Sequence, residues 1–480
     1  MSAVPGETAE LLARYDRPGP RYTSYPTAVE FHEGFTEADY RDRLAAADRR
    51  SAAPLSLYAH LPFCEARCLF CGCNVVITRH RDVAARYLED LEREIDLLAG
   101  ALRTRRTLAQ MHWGGGTPTY YTPEQLERLF RAIAQHFTFS PDADIGIEAD
   151  PRVTTTEHLE RLRALGFNRL SLGVQDFAPE VQEAVHRIQS VEQTDALVSH
   201  ARALGFSSVN LDLIFGLPHQ SAAGFAKTLE QVLAIRPDRL AVYSFAYVPW
   251  IKGHMKRIDS ETLPPAQVKL ELLALAIDTL TGAGYRQIGM DHFALPEDDL
   301  ARAADDGTLY RNFMGYSVRA APDLVGLGAS AIGDVAGAFA QNTKKLSEYA
   351  AAVGAGRFPT ERGYALSPDD LRRREVITRL MCAFRVEFGA FEERFGVPFA
   401  ECFAAELDLL QGDDGSVRHG LVELSGEAMA LTPLGRAFVR SVCMTFDRYL
   451  AHRTAGPAPD SVAPSAPASR ARSISSIDRG

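Results

Sequence analysis

Four of the chain's seven cysteines fall within ten residues, at Cys64, Cys68, Cys71 and Cys73 in YAHLPFCEARCLFCGC (58–73). Thiolates at Cys64-x3-Cys68-x2-Cys71 let one loop wrap a single metal centre. The candidates are zinc and an iron–sulfur cluster. A closed zinc site takes four ligands, usually as two pairs from separate elements. No second CxxC or HxxxH pair exists here, so only Cys73 is at hand to complete a local set of four. Three protein ligands and one open position suit a cluster whose fourth iron binds something other than protein.

A second set of polar residues is spread along the chain. Trp113-Gly114-Gly115-Gly116-Thr117, Glu148, Gln175, Asp212 and Tyr243 each stand at or just beyond the end of a different β-rich run. The runs are 55–61, 108–113, 144–149, 168–174, 208–216 and 239–246, with a weaker one at 285–290. Between them lie amphipathic stretches near 82–102, 123–137, 155–165, 191–204, 221–235 and 265–283. Repeated βα units predict a parallel sheet with helices outside it. In a barrel the carboxyl ends of the strands converge on one mouth, where such enzymes keep their active sites. The strand-end placement of the polar residues therefore predicts an open barrel of about six strands rather than a doubly wound sheet.

Flanking segments follow other patterns. Residues 1–54 open on a short helix-like piece and then RPGPRYTSYPTAVEF (17–31), which reads as an extended strap. Beyond Leu327 an α-rich region is expected, with Ser367-Pro368-Asp369-Asp370 as a capped helix start and helices near 369–386, 398–411 and 433–451 around two short strands at 420–431. This pattern is winged-helix-like, yet residues 368–451 carry 14 acidic and 10 basic side chains, a poor surface for phosphate. From 453 to 480 the Pro-, Ala- and Ser-rich composition predicts a disordered tail. The expected division is thus 1–54 extension and strap, 55–330 barrel, 331–452 α-rich domain and 453–480 tail.

Bulk properties agree with a small-molecule enzyme. The 480 residues are 46% hydrophobic and carry a net charge of −10, enough apolar surface for a large core and no electrostatic footprint for nucleic acid or an anionic membrane. No apolar run reaches the roughly 20 residues that span a bilayer, and the N-terminus lacks a secretory layout. A cytoplasmic protein is expected. No long heptad pattern appears, so the expected state is a monomer. Cys382, Cys402 and Cys443 lie in apolar helical patterns and read as packing residues.

Cx3CxxC after a first strand, with a glycine run after the second, resembles the radical S-adenosylmethionine (SAM) superfamily. More narrowly, the chain resembles the oxygen-independent coproporphyrinogen III oxidases of haem biosynthesis. The matching segments are PGPRYTSYPTAVEF (18–31), YAHLPFCEARCLFCGCN (58–74), HWGGGTPTY (112–120), IEADPR (147–152), FNRLSLGVQDF (167–177), NLDLIFGLP (210–218), IGMDHFA (288–294), RNFMGY (311–316) and LVGLGASAI (324–332). The resemblance implies a partial (β/α)6 barrel of TIM type holding a 4Fe-4S cluster on Cys64, Cys68 and Cys71. Its open iron chelates SAM, which reduction splits into methionine and a 5′-deoxyadenosyl radical.

The resemblance also implies two SAM molecules. Tyr58, Phe70, Gly115 and Glu148 match positions around the first, and Gly116, Thr117, Gln175, Arg187, Asp212, Ala246 and Ile332 match those around the second. Elementary chemistry agrees for several: glycines permit close backbone approach, Asp212 can accept from ribose hydroxyls, and Arg187 can fork onto a carboxylate. Cys73 lies outside the superfamily motif, but in this family it accompanies decarboxylating activity. The implied reaction converts two propionates of coproporphyrinogen III to vinyl groups, with an electron donor and an acceptor that the sequence does not identify. Four propionates call for cations, and Arg21 with Tyr22 are the expected contacts, followed by Arg311 and Arg319. The alternative is a haem chaperone of the same family, which typically lacks the PRYTSYP strap and the extra cysteine.

Overall fold

The computed structural model describes residues 19–319 and 321–450, together with Leu11, Arg14 and Tyr15. The strap's first residues, Arg17 and Pro18, and the expected tail at 453–480 lie outside them. Six parallel strands form the centre of the fold: β1 (Leu55–Leu61), β2 (Thr107–Gly115), β3 (Thr138–Ala149), β4 (Arg169–Gln175), β5 (Ser208–Phe215) and β6 (Arg239–Ser244). Helices separate them: α1 (Arg81–Ala101), α2 (Pro123–Ala134), α3 (Thr156–Ala164), α4 (Val191–Leu204) and α5 (Ala222–Ile235). The (β/α)6 expectation is met, and the sheet then continues at both ends. The strands β7 (Arg286–Ile288) and β8 (His292–Ala294) extend the β6 side, while β9 (Leu324–Leu327), β10 (Ile332–Val335), β11 (Ala338–Asn342) and β12 (Thr360–Ala365) extend the β1 side. The order across the sheet is β12-β11-β10-β9-β1-β2-β3-β4-β5-β6-β8-β7.

Two expectations need correction. The run at 285–290 is an edge strand rather than a barrel strand: β7 pairs antiparallel with β8, which pairs antiparallel with β6. The α-rich region does not begin at 331, because β10, β11 and β12 still belong to the main sheet. The break comes after Ala365. Short strands with few strong β-formers, such as AFAQN, gave little local signal, and pairing with β9 and β10 stabilises them. Beyond the break, a helix at Pro368–Ala383 starts on a capping box between Ser367 and Asp370. Further helices accompany a three-stranded antiparallel sheet of 385–387, 422–424 and 428–431.

Period-two alternation along the strands decides what lies inside. One face of the parallel block carries Leu57, Met111, Ile147, Leu170, Leu211 and Val242, buried in one apolar core with helix residues such as Leu91, Leu129 and Val232. The opposite face carries Tyr58, His112, Glu148, Ser171, Asp212 and Tyr243, so the lumen is polar. Its lower end holds an ionic layer in which Arg169 meets Asp144 at 3.4 Å and Arg239 meets Asp298 at 2.7 Å.

Arg105, just before β2, is fully buried. It donates to the carbonyls of Ala53 and Pro54, both at 2.6 Å, and pairs with Asp323, which precedes β9. One guanidinium therefore joins the entries to three neighbouring strands. Arg105→Met keeps most of the volume and removes the donors. It should cost about 3–5 kcal/mol, the usual penalty for breaking a buried ion pair, measured by chemical denaturation.

Candidate active site

The cysteine loop leaves β1 at Leu61 and runs directly beside the glycine run that leaves β2. Gly116 donates its N–H to Leu61 O at 2.9 Å and Thr117 to Phe63 O at 2.9 Å. A Cβ on Gly116 would meet Pro62 O at 2.6 Å, and one on Gly115, whose φ is +122°, would meet the His60 ring at 2.9 Å. Only glycine tolerates both demands. The run is thus required by the chain's own packing, in addition to any ligand it admits.

Each cysteine of the loop has a distinct environment. Cys64 lies 3.3 Å from the Thr117 hydroxyl. Cys68 is buried and accepts from Arg152 Nη2 and Arg187 Nη1, both at 3.6 Å. Cys71 is held down to about 6, chiefly by a hydrogen bond from Cys73, and the same bond raises the Cys73 thiol. Lys252 donates to Cys73 O at 3.2 Å and the His254 ring meets Cys71 O at 2.9 Å, so the segment after β6 caps the loop. Among the described residues no three His, Cys, Asp or Glu side chains gather closely enough for one metal ion. A cubane cluster places each thiolate on a different iron atom, so a spread donor set of three cysteines fits it.

The strand ends bring the other expected residues together. Glu148 accepts from Gly115 N at 3.1 Å and faces His112 Nε2 at 3.6 Å. Burial pushes its pKa up, but the His112 contact and the Gly115 N–H outweigh it and hold the carboxyl below its usual value. Tyr58 bonds His60 Nδ1 at 3.1 Å and stacks on His112 at 6.3 Å. Gln175 ends β4 with φ +71°, a left-handed conformation costing of order 1–3 kcal/mol. Ile332 packs its backbone beside Gly326, the register partner of Tyr58. Ala246 is exposed beyond β6, and Phe70 rests half-buried on a cluster that includes Leu69, Val185 and Phe245.

Asp212 lies two strands along the same face from Glu148. It accepts from Asn210 Nδ2 at 2.8 Å and from the Ser171 hydroxyl at 3.3 Å. Burial raises its pKa to about 6, and the charge of Glu148 adds to the rise. At the far side, Asp291 would be raised by burial, but His292 Nδ1 at 2.7 Å, with Arg311 and Arg21, brings it to about 2.

Three expectations change in this geometry. Arg187 already forks onto the chain: it meets Asp150 Oδ2 at 3.1 Å and donates to Gly173 O at 2.6 Å. Tyr22 does not face the lumen. Its side chain is buried in the core of the C-terminal region and its hydroxyl donates to Asp447 Oδ2 at 3.0 Å, while Arg21 turns the other way, onto Ser244 O and 5.7 Å from the Tyr243 ring centroid. Tyr22 takes a left-handed backbone conformation, φ +48°, which turns the chain between the two side chains, and the larger apolar body goes to the core. Arg319 pairs with Asp142 at 2.9 Å, whereas Arg311 is buried 3.9 Å from Asp291.

Sequence reasoning missed His60, His112, Asp150, Arg152, Lys252 and His254. Period-two spacing from Tyr58 and Gly114 could have found the two lumen histidines, and Asp150 and Arg152 directly follow the Glu148 strand end. Nothing local marks Lys252 or His254.

A family model for the radical SAM superfamily matches residues 58–232 and one for the HemN C-terminal domain matches 366–438. Oxygen-independent coproporphyrinogen III oxidase from Salmonella typhimurium is 47% identical over 440 residues, covering 92% of this chain and 95% of that protein. Its counterpart from Pseudomonas aeruginosa is 45% identical over 447 residues, covering 92% and 96%. The solved structure of coproporphyrinogen III oxidase (HemN) from Escherichia coli, a radical SAM enzyme, matches with a TM-score of 0.86 at 45% identity, covering 89% of this chain and 97% of that one.

The raised Asp212 pKa has a stability consequence. Between its unfolded value near 3.8 and about 6, the folded chain binds the proton that the unfolded chain has released, so stability falls as pH rises through this window. Asp212→Asn removes the titration. It should be more stable than the parent at pH 7.5, with the gain shrinking toward pH 4, as read from urea denaturation of the ligand-free proteins.

Proposed function

The chain belongs to the oxygen-independent coproporphyrinogen III oxidases of the radical SAM superfamily, and on that premise we propose how its residues serve the reaction. The enzyme oxidatively decarboxylates two propionate side chains of coproporphyrinogen III to vinyl groups, giving protoporphyrinogen IX. Its cofactors are a 4Fe-4S cluster and SAM. When bound, they supply the 5′-deoxyadenosyl radical with which the reaction begins. The observation that carries the assignment of residues is the joining of the cysteine loop to the glycine run and Glu148 at one mouth of the barrel.

In this reading Cys64, Cys68 and Cys71 hold the cluster, all three being free thiols. Tyr58, Phe70, Gly115 and Glu148 surround a first SAM. Gly116, Thr117, Gln175, Arg187, Asp212, Ala246 and Ile332 surround a second, supported by their place at successive strand ends and beside β9. The Glu148 carboxylate, ionised and fixed by Gly115 and His112, is set to accept from a hydroxyl or ammonium group. Arg187 would have to leave Asp150 to reach a ligand carboxylate, and Arg152 remains to pair Asp150 when it does.

The strap serves two purposes. Tyr22 and Tyr25 pack in the core of the C-terminal region, which leaves Arg21 directed at Tyr243 and Ser244 on the barrel rim. We assign Arg21 to a substrate propionate, with Arg311 as a buried cation deeper on the same side. Cys73, an exposed free thiol beside Cys71, is assigned to turnover rather than to cluster binding. The reading includes an external one-electron donor and an acceptor, a cytoplasmic location and a monomeric state. The relatives named above are oxidases, which does not favour the haem chaperone.

Anaerobic reconstitution with reductant, SAM and coproporphyrinogen III should yield protoporphyrin and 5′-deoxyadenosine. SAM cleavage without porphyrin product, or tight haem binding without turnover, would overturn the reading. Cys73→Ser should keep the iron content and lose porphyrin formation, whereas Cys68→Ser should lose both. Arg21→Ala should raise the KM for coproporphyrinogen III about tenfold, equivalent to ~1.4 kcal/mol, and steady-state kinetics on the reconstituted protein would detect it.

A further inference from the structure

Asp150 follows the Glu148 strand end and is buried. Its carboxylate gathers two guanidinium groups, taking Arg152 Nη2 at 2.6 Å and Arg187 Nη1 at 3.1 Å. Both of those nitrogens also lie 3.6 Å from the sulfur of Cys68. Arg187 is itself buried and its Nε has no hydrogen-bond partner. Two cations and one anion therefore leave about one net positive charge against a single cysteine sulfur, in a region largely removed from water. Cys68 differs from its neighbours in taking direct guanidinium contacts: Cys64 meets the Thr117 hydroxyl, and Cys71 feels the charges of Lys252 and Arg67.

The potential of an iron–sulfur cluster depends on its net charge, on hydrogen bonds to its sulfurs and on exposure. Reduction adds one electron from an external reductant, taking the cluster from the 2+ to the 1+ state with no bond made or broken. Donors aimed at a ligand sulfur stabilise the form with more negative charge, and a low-dielectric surrounding strengthens the effect. We propose that Arg152, oriented by Asp150, is a positioning residue that raises the reduction potential of the cluster by donating to Cys68. This rests on Cys68 being a cluster ligand, as assigned above. Arg187 shares the task only while it stays on Asp150, whereas Arg152 can hold it throughout.

The test uses the full chain, reconstituted anaerobically as the parent, Arg152→Gln and Arg152→Lys, with iron content and visible spectra recorded. The midpoint potential is read by EPR across a dithionite titration. The expected result is an intact cluster in all three, with the midpoint most negative in Arg152→Gln and intermediate in Arg152→Lys. Asp150 keeps Arg187 in the Gln variant, so no carboxylate is left unpaired. An unchanged midpoint in Arg152→Gln would overturn the proposal. So would loss of the cluster in both variants, which would make Arg152 a structural clamp. A parent that takes up no cluster would instead overturn the assignment of Cys68, and the proposal with it.

Discussion

The structure depends on the close contact between two backbones, the cysteine loop leaving β1 and the glycine run leaving β2. Gly116 and Thr117 continue the parallel ladder one step past the end of the strands by donating to Leu61 and Phe63. That extra pairing fixes where Cys64 stands, because its sulfur then meets the Thr117 hydroxyl. It also requires glycine where the two backbones meet, since a Cβ at Gly116 would strike Pro62 O and one at Gly115 the His60 ring. The metal loop and the glycine run are therefore one local unit with two sequence signatures.

A lumen lined with ionisable groups is costly unless each is paired, and the fold meets the cost in layers. At the base, Arg169, Arg239, Asp144 and Asp298 neutralise one another. Above it, Glu148 and Asp212 diverge: one is held ionised by His112 and Gly115, while burial raises the other to about 6 despite Asn210, His292 and Ser171. Near the loop, Asp150 balances two arginines against Cys68. Arg21 of the strap reaches Ser244 O, and Lys252 and His254 hold the carbonyls of Cys73 and Cys71.

Much of this was legible in the chain. Strand-end placement of Gly115, Glu148, Gln175, Asp212 and Tyr243 predicted a barrel mouth; Gly115, Glu148, Gln175 and Tyr243 do stand at strand ends, because period-two patterning and short apolar runs are local signals, whereas Asp212 lies inside β5. The extent of the sheet was not legible. The strands β10 to β12 hold Gly, Asp, Gln and Asn, and they pair through contacts that no window of sequence contains. Tyr22 was misdirected for a related reason: a stretch that reads as extended does not reveal the left-handed turn at Tyr22, which the packing of its ring in the C-terminal core holds in place.

By itself, the sequence determined the types and spacing of the cysteine ligands, the glycines, the βα alternation and the family to which they lead. Residue type and short-range spacing set ligand chemistry and backbone freedom without reference to the rest of the molecule. Only the tertiary structure decided that Arg21 and Tyr22 part company, that Arg187 rests on Asp150, and that Cys68 receives two guanidinium groups while Cys71 receives the thiol of Cys73. Those choices depend on which distant segments share a buried volume, where every charge must find a partner and each side chain can take only one place.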